Sequence, residues 1–108
     1  MDVVVERFDV YLAPFDPAVG VEISKTRPCL VISPDPVNRT VRTVVVAPMT
    51  GTRRAYPFRV DCTFDGRDGQ IALDQMRAFD RARLIRRLGR IDDATARRVR
   101  QTLLAFFR

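Results

Sequence analysis

Apolar residues recur at helical spacing in only one part of this chain, its end. Ala96, Val99, Leu103 and Phe106 or Phe107 share a helical face, while Arg97, Arg98 and Gln101 face elsewhere. Asp92 can cap that helix, and Asp93 suits its positive first turn. An amphipathic helix of about four turns, packed on a sheet, is predicted. Upstream, the pattern is that of strands. Phe8–Ala13 is rich in β-formers and closed by Pro14, and Cys29–Ser33 ends at Pro34-Asp35-Pro36. Thr43–Ala47 is almost continuously apolar, which suits a strand buried on both faces. Phe58–Thr63 alternates, and after the turn cluster Asp65-Gly66-Arg67-Asp68-Gly69 comes a fifth strand, Gln70–Leu73. Residues 76–81 and 86–91 are shorter candidates, with a turn or single helical turn near Ala82–Ile85. Five to seven short strands and one late helix predict a mainly β fold, a small and partly open barrel with a C-terminal helix. Residues 14–28 form a long loop, and such loops inside compact domains are often functional.

A chain of 108 residues points to one domain, residues 1–108, because two independent cores of that size would each be marginal. No apolar run reaches the ~18 residues a bilayer requires. The opening Met-Asp-Val-Val-Val-Glu lacks the basic region and cleavage site of a secretory signal, so a cytoplasmic protein with no membrane role is expected. Histidine is absent, which removes Ser–His and Cys–His catalysis and the commonest transition-metal ligand. Cys29 and Cys62 stand 33 positions apart with no companion cysteine, so neither a zinc site nor a Cys-x-x-C pair can be assembled. Two buried free thiols are expected, a single disulfide being the other option. No cofactor or metal is called for.

The formal net charge of +6 is unevenly placed. Residues 1–73 carry nine basic and nine acidic groups, whereas residues 74–108 carry ten and four. Within the neutral part, residues 36–60 hold Arg39, Arg42, Arg53, Arg54 and Arg59 and no acidic residue. A local field of this kind matters more to a polyanion than the overall sum. Lys25 is the only lysine, and arginine's planar fork suits phosphate oxygens and stacks on bases. A compositional preference for arginine on a solvated surface would look the same.

Two positions carry the chemistry. Arg27 lies between the long loop and the second strand, and Pro28 disfavours a helical conformation at Arg27, so its guanidinium projects from a strand edge or pairs with Glu22 or Asp16. Thr50 follows the third strand in Ala47-Pro48-Met49-Thr50-Gly51, either free for a ligand or bonded to local backbone. Their flanks say more. Phe8-Asp9-Val10-Tyr11-Leu12, then Asp16-Pro17-x-x-Gly20-x-Glu22-Ile23-x-Lys25-Thr26-Arg27-Pro28-Cys29-Leu30-Val31-Ile32-Ser33, resembles the opening of the MazF/PemK family. These are the toxins of bacterial type II toxin–antitoxin modules. The likeness continues through Val44–Thr50, Tyr56–Val60, Ala72–Arg77 and Leu84-x-x-Arg87-Leu88-Gly89-Arg90, nearly the whole chain and in order.

The resemblance implies an SH3-like β-barrel with a C-terminal helix, forming a homodimer. It implies a metal-independent endoribonuclease that cuts single-stranded RNA at short motifs, held in check by a small antitoxin with an acidic tail. The family's catalytic arginine maps onto Arg27 and its threonine onto Thr50. Three departures stand out. The family's Arg-Gly-Asp opening is Arg7-Phe8-Asp9 here. The histidine used by one branch is missing, and that branch's arginine is Ala72, so only Asp74 matches it. The Arg–Thr version is therefore the one carried over.

Cleaving RNA through its own 2′-OH requires in-line geometry and stabilisation of charge on the phosphorane oxygens. An arginine supplies a fixed charge and two aimed donors, and a threonine adds a third. A guanidinium keeps its proton, so Arg27 fits electrostatic stabilisation, and the general base is left unassigned. Glu22, Lys25 and Thr26 on the long loop, with Arg53, Arg54 and Tyr56 on the second, are expected to line the RNA groove. Tyr56 either stacks an unpaired base or packs beside Pro57. Asp74 and Gln75 either read base edges or buttress Arg27. Two other functions use the same fold: a non-enzymatic gyrase-poisoning toxin, or an inactive RNA-binding barrel. The gyrase-directed relatives carry a tryptophan near the chain end; this chain has none and ends Leu-Leu-Ala-Phe-Phe-Arg.

Overall fold

A computed structural model describes residues 4–108. Seven strands are observed: β1 (Asp9–Pro14), β2 (Thr26–Val31), β3 (Thr43–Thr50), β4 (Arg59–Phe64), β5 (Arg67–Ala72), β6 (Arg77–Asp80) and β7 (Arg86–Arg90). Helix α1 spans Asp35–Thr40 and α2 spans Asp93–Phe106. Single 3-10 turns occupy Leu73–Gln75 and Arg81–Arg83. All pairings are antiparallel, in the order β4-β5-β3-β2-β1-β7, with β6 also on β3. The expected mainly β architecture with a late helix is what forms, a curled half-barrel.

β3 is the pivot. One edge pairs with β2, while the other pairs first with β6 across Thr43–Val46 and then with β5 across Met49–Thr50. Changing partners along one strand turns the sheet through a corner. Ala47 and Pro48 fall in the gap between the two partners, where a residue without an N–H is tolerated. The strand therefore runs through Pro48 to Thr50, three residues beyond the expected Ala47. β2 likewise starts earlier than expected, at Thr26, because Pro14 and Ala13 of β1 pair with Thr26 and Arg27.

Alternation along β1, β2 and β3 builds two cores, because successive side chains leave a strand on opposite faces. Val10, Leu30, Ala47 and Met49 join Val60, Ile71, Leu73 and the helix residues Ala96 and Val99 on one face. Tyr11, Cys29, Val31, Val44 and Val46 join Phe15 and Phe79 on the other. This explains why Thr43–Ala47 carries apolar side chains almost throughout. Asp92 caps α2 by accepting from the Thr95 N–H at 2.7 Å, and hydrogen bonds from the Thr95 hydroxyl and then its N–H hold the carboxyl below the usual range. Leu103 packs on the core, but Phe107 is 70% exposed and Phe106 sits edge-on to Phe58 at the rim.

Two features differ from expectation. Pro34-Asp35-Pro36 does not only end a strand; it opens α1, with proline in the first turn where its missing N–H costs nothing. Asn38 in that helix is buried, donating to the Ser33 carbonyl and accepting from the Ser33 hydroxyl. A six-residue helix carries too little periodicity to stand out. At the Arg7-Phe8-Asp9 opening, Phe8 adopts φ +73, the left-handed region that glycine occupies freely. The phenyl ring is nevertheless buried in the first core, with the Arg7 and Arg100 guanidiniums over it at 5.1 and 4.9 Å. Burial of a large ring offsets the backbone cost of losing glycine.

Cys29 and Cys62 are free and lie in different cores, so no disulfide joins them. Burial pushes the Cys29 thiol up to about 12 and also raises Cys62. Native protein should thus react with an aromatic disulfide reagent at Cys29 roughly a thousand-fold more slowly than after unfolding. Two thiols per chain should appear in denaturant; fast native labelling of both would contradict the buried placement.

Candidate active site

Arg27 and Thr50 are brought together by strand register. Cys29 pairs with Pro48, Leu30 with Ala47 and Val31 with Val46. That pairing ends two residues short of Arg27 on one strand and of Thr50 on the other, so both come to the same end of the β2–β3 pair. Alternation then places both on the face that carries Cys29, Val31, Val44 and Val46, at the open end of that core. Both side chains are half-buried. Arg27 is aimed by its Nε–H, which donates to the Ser24 carbonyl at 2.7 Å. It forms no ion pair among the described residues, and the partners Glu22 and Asp16 are engaged elsewhere. Thr50 Oγ1 accepts from the Thr52 N–H at 3.1 Å, which leaves its hydroxyl hydrogen able to donate.

Both residues line a cleft of about 450 Å³. Glu22, Arg54, Tyr56, Asp74 and Gln75 line it too. Lys25, Thr26 and Arg53 do not. Lys25 and Thr26 form the ladder end of the loop: the Lys25 carbonyl accepts from Phe15 N–H at 2.9 Å and its N–H donates to Asp16 Oδ1 at 3.0 Å. Arg53 turns outward, 3.9 Å from Asp68 across an exposed surface.

Side-chain amides pin both loops. Gln75 accepts from the Ile23 N–H at 2.6 Å, and Glu22 accepts from Val19 N–H at 2.6 Å, so the long loop is tied to the 73–75 turn and to itself. Gln70, nearly buried on β5, accepts from Arg54 N–H and donates to Arg54 carbonyl, both at 3.0 Å. One glutamine thus pairs with both backbone groups of Arg54 in the second loop. Neither Asp74 nor Gln75 buttresses Arg27.

Arg59 was absent from the expected site and belongs to it. It donates from Nε and a terminal nitrogen to the two Asp74 oxygens at 2.5 and 3.1 Å, a fork-on-carboxylate pair, with its side chain only 5% exposed. Its guanidinium lies 5.0 Å from the centroid of Tyr56. Tyr56 is therefore paired with an arginine, and stays 55% exposed. The acid-free stretch containing Arg59 was the available signal, but pairing with a residue fifteen positions later is a tertiary fact. A double-mutant cycle of Arg59→Ala and Asp74→Ala should be strongly non-additive, each single change lowering stability by about 1–2 kcal/mol. Additive losses would mean that the two act separately.

With Arg59 neutralised by Asp74, the cleft keeps Arg27 and Arg54 against Glu22, a net positive field suited to phosphate. Among the described residues, no three His, Cys, Asp or Glu side chains gather where they could hold a metal ion.

Comparison with known proteins identifies the family. Residues 6–107 match the model of the PemK-like, MazF-like toxins of type II toxin–antitoxin systems. Endoribonuclease EndoA of Bacillus subtilis (strain 168) is 34% identical over 106 residues, covering 93% of this chain and 91% of that protein. The crystal structure of MazF from Deinococcus radiodurans superposes with a TM-score of 0.83 at 28% identity, covering 98% of both chains. A MazE–MazF crystal structure from the same organism matches with a TM-score of 0.78 at 26% identity over 97% of both. The strand order and these matches converge: this chain belongs to the PemK/MazF family of type II toxin–antitoxin toxins, as a homologue of an endoribonuclease.

Proposed function

We propose that this toxin is an endoribonuclease that cuts single-stranded RNA at a short motif through the substrate's own 2′-OH, with Arg27 and Thr50 as its catalytic residues. The observation that carries the reading is that these two side chains, at the same end of the β2–β3 pair, line one cleft. In the reaction the 2′-oxygen bonds to phosphorus and loses its proton, while the bond from phosphorus to the 5′-oxygen breaks and that oxygen gains one. A 2′,3′-cyclic phosphate and a 5′-hydroxyl remain. Arg27 lays a permanent positive charge and a donor fork against the non-bridging oxygens, where negative charge grows as the phosphorane forms. Thr50 adds a neutral donor from the facing strand. Because both sit on a paired sheet rather than a free loop, little reorganisation is needed in the transition state.

The remaining residues hold RNA. Arg54 meets phosphate, and the exposed ring of Tyr56, backed by Arg59, stacks an unpaired base. Glu22 and Gln75 shape the groove by fixing the long loop, and Lys25, Thr26 and Arg53 act at its margin through charge. An acidic antitoxin segment fits the same positive field, as the MazE–MazF architecture supports. We place the toxin in the cytoplasm as a single-domain homodimer; among the described residues no helix is long and apolar enough to cross a membrane.

The test is incubation of purified protein with a long single-stranded RNA in EDTA, followed by mapping of cut sites and end groups. Cuts at one short motif with 2′,3′-cyclic phosphate ends, lost in Arg27→Ala and Thr50→Ala, are expected. Intact RNA with well-folded wild type would instead favour the gyrase-directed or RNA-binding alternatives.

A further inference from the structure

Arg27 and Thr50 line a second cleft as well, of about 420 Å³, which shares only these two residues with the first. Its walls come from β1, β7 and the β4–β5 hairpin. Leu12, Met49, Phe64 and Leu88 supply apolar surface, while Arg67 and Arg86 stand exposed at its edge. The catalytic pair therefore sits at a divide between two clefts of similar size, each within the ~300–1,000 Å³ usual for ligand sites.

We propose that this second cleft is a nucleotide-binding arm, taking the RNA nucleotide on the side of the scissile phosphate that the first cleft does not hold, with Arg67 and Arg86 on the next phosphate. The inference rests on the nuclease reading above and adds the path of the substrate to it. In-line attack puts one ribose on each side of the phosphorus, so an endonuclease must seat a nucleoside on both sides of Arg27 and Thr50. The second cleft, joined to the first through Arg27 and Thr50 alone, supplies a seat for the other nucleoside.

Local structure supports the assignment. Asp65 and Gly66 turn the hairpin with φ +52 and +75, and this turn brings Arg67 back beside Phe64. The pairing of β1 with β7 slips between Val10 and Tyr11, so β7 is bulged at Leu88–Gly89. Gly89, at φ +155, is where the Phe64 ring rests: a Cβ there would lie 3.2 Å from its Cζ. The ring is thus seated on strand backbone, half-buried, as an apolar surface against which a base can lie. Of the two acidic residues in the lining, Asp68 accepts from the Thr63 hydroxyl at 2.6 Å and faces Arg53 at 3.9 Å, and Asp65 occupies the exposed turn.

The experiment measures kcat and KM for wild type and Arg67→Ala/Arg86→Ala on a long RNA carrying one cut site, and on versions ending at the nucleoside adjoining the cut on either side. Both arginines are exposed, so the variant should fold, which its melting temperature checks. On the long RNA, KM is expected to rise about tenfold with kcat unchanged, and its salt dependence to flatten by a slope of about 0.7, the loss of one single-strand phosphate contact. Truncation on one side alone should abolish the difference between variant and wild type. Unchanged KM on the long RNA, as expected if the cleft serves an antitoxin tail instead, would overturn the proposal. So would a rise that survives both truncations, which marks diffuse charge. No cutting by wild type would overturn the nuclease reading on which the proposal depends.

Discussion

Replacing Arg27 with alanine is expected to lower the single-turnover cleavage rate by roughly 10²–10³-fold, the usual cost of removing one aimed donor from a developing oxyanion. Stability should barely change. The guanidinium is half-buried, makes one hydrogen bond to a loop carbonyl and neutralises no acid among the described residues. Arg27→Lys separates charge from shape: it keeps a cation but loses both the fork and the Nε–H that the Ser24 carbonyl aims. Partial activity in the lysine variant would mean that charge does most of the stabilising. Thr50→Ala should lose less, about tenfold, and Thr50→Ser should recover it, since serine keeps both the donor and the acceptor for Thr52 N–H. A wild-type rate in Arg27→Ala, measured in EDTA on the mapped motif, would remove this residue from the mechanism.

The second large effect comes from a residue that acts through the backbone packed against it. A Cβ added at Gly69 would stand 2.5 Å from the Thr50 carbonyl oxygen and 3.3 Å from its carbon. Both are backbone atoms, so no rotamer can relieve the clash, and β3 and β5 must part where Thr50 pairs with Gln70. Gly69→Ala should therefore destabilise the fold by about 1–3 kcal/mol. It should also lower kcat by about tenfold or more, since a displacement of about 1 Å at a catalytic group can cost ~10²-fold. Gly51→Ala is the control: nothing lies within 4 Å of its added Cβ, and the melting temperature should hold. A lower melting temperature in Gly69→Ala with an unchanged rate would mean that β5 does not set the position of Thr50.

Much of this protein was legible before any coordinates. Period-two apolar runs, breakers between them and one helical face at the end require a curled β-sheet with a terminal helix, because those rhythms decide which faces can be buried. The motif order around Arg27 and Thr50 placed the chain in its family, and the absence of histidine directed attention to the Arg–Thr pair. Tertiary structure decided the rest. Only the pairing of β2 with β3 brings two residues twenty-three positions apart to one cleft. Only the corner in β3 allows Pro48 inside a strand and carries the strand on to Thr50. Arg59 and Asp74, and Gln70 with the Arg54 peptide, meet because the curled sheet folds distant segments onto one rim. Sequence records local preference strongly, since neighbours along a chain share a backbone. Polar partners across a cleft leave no periodic trace, because each is selected by a single contact that exists only after the sheet has closed.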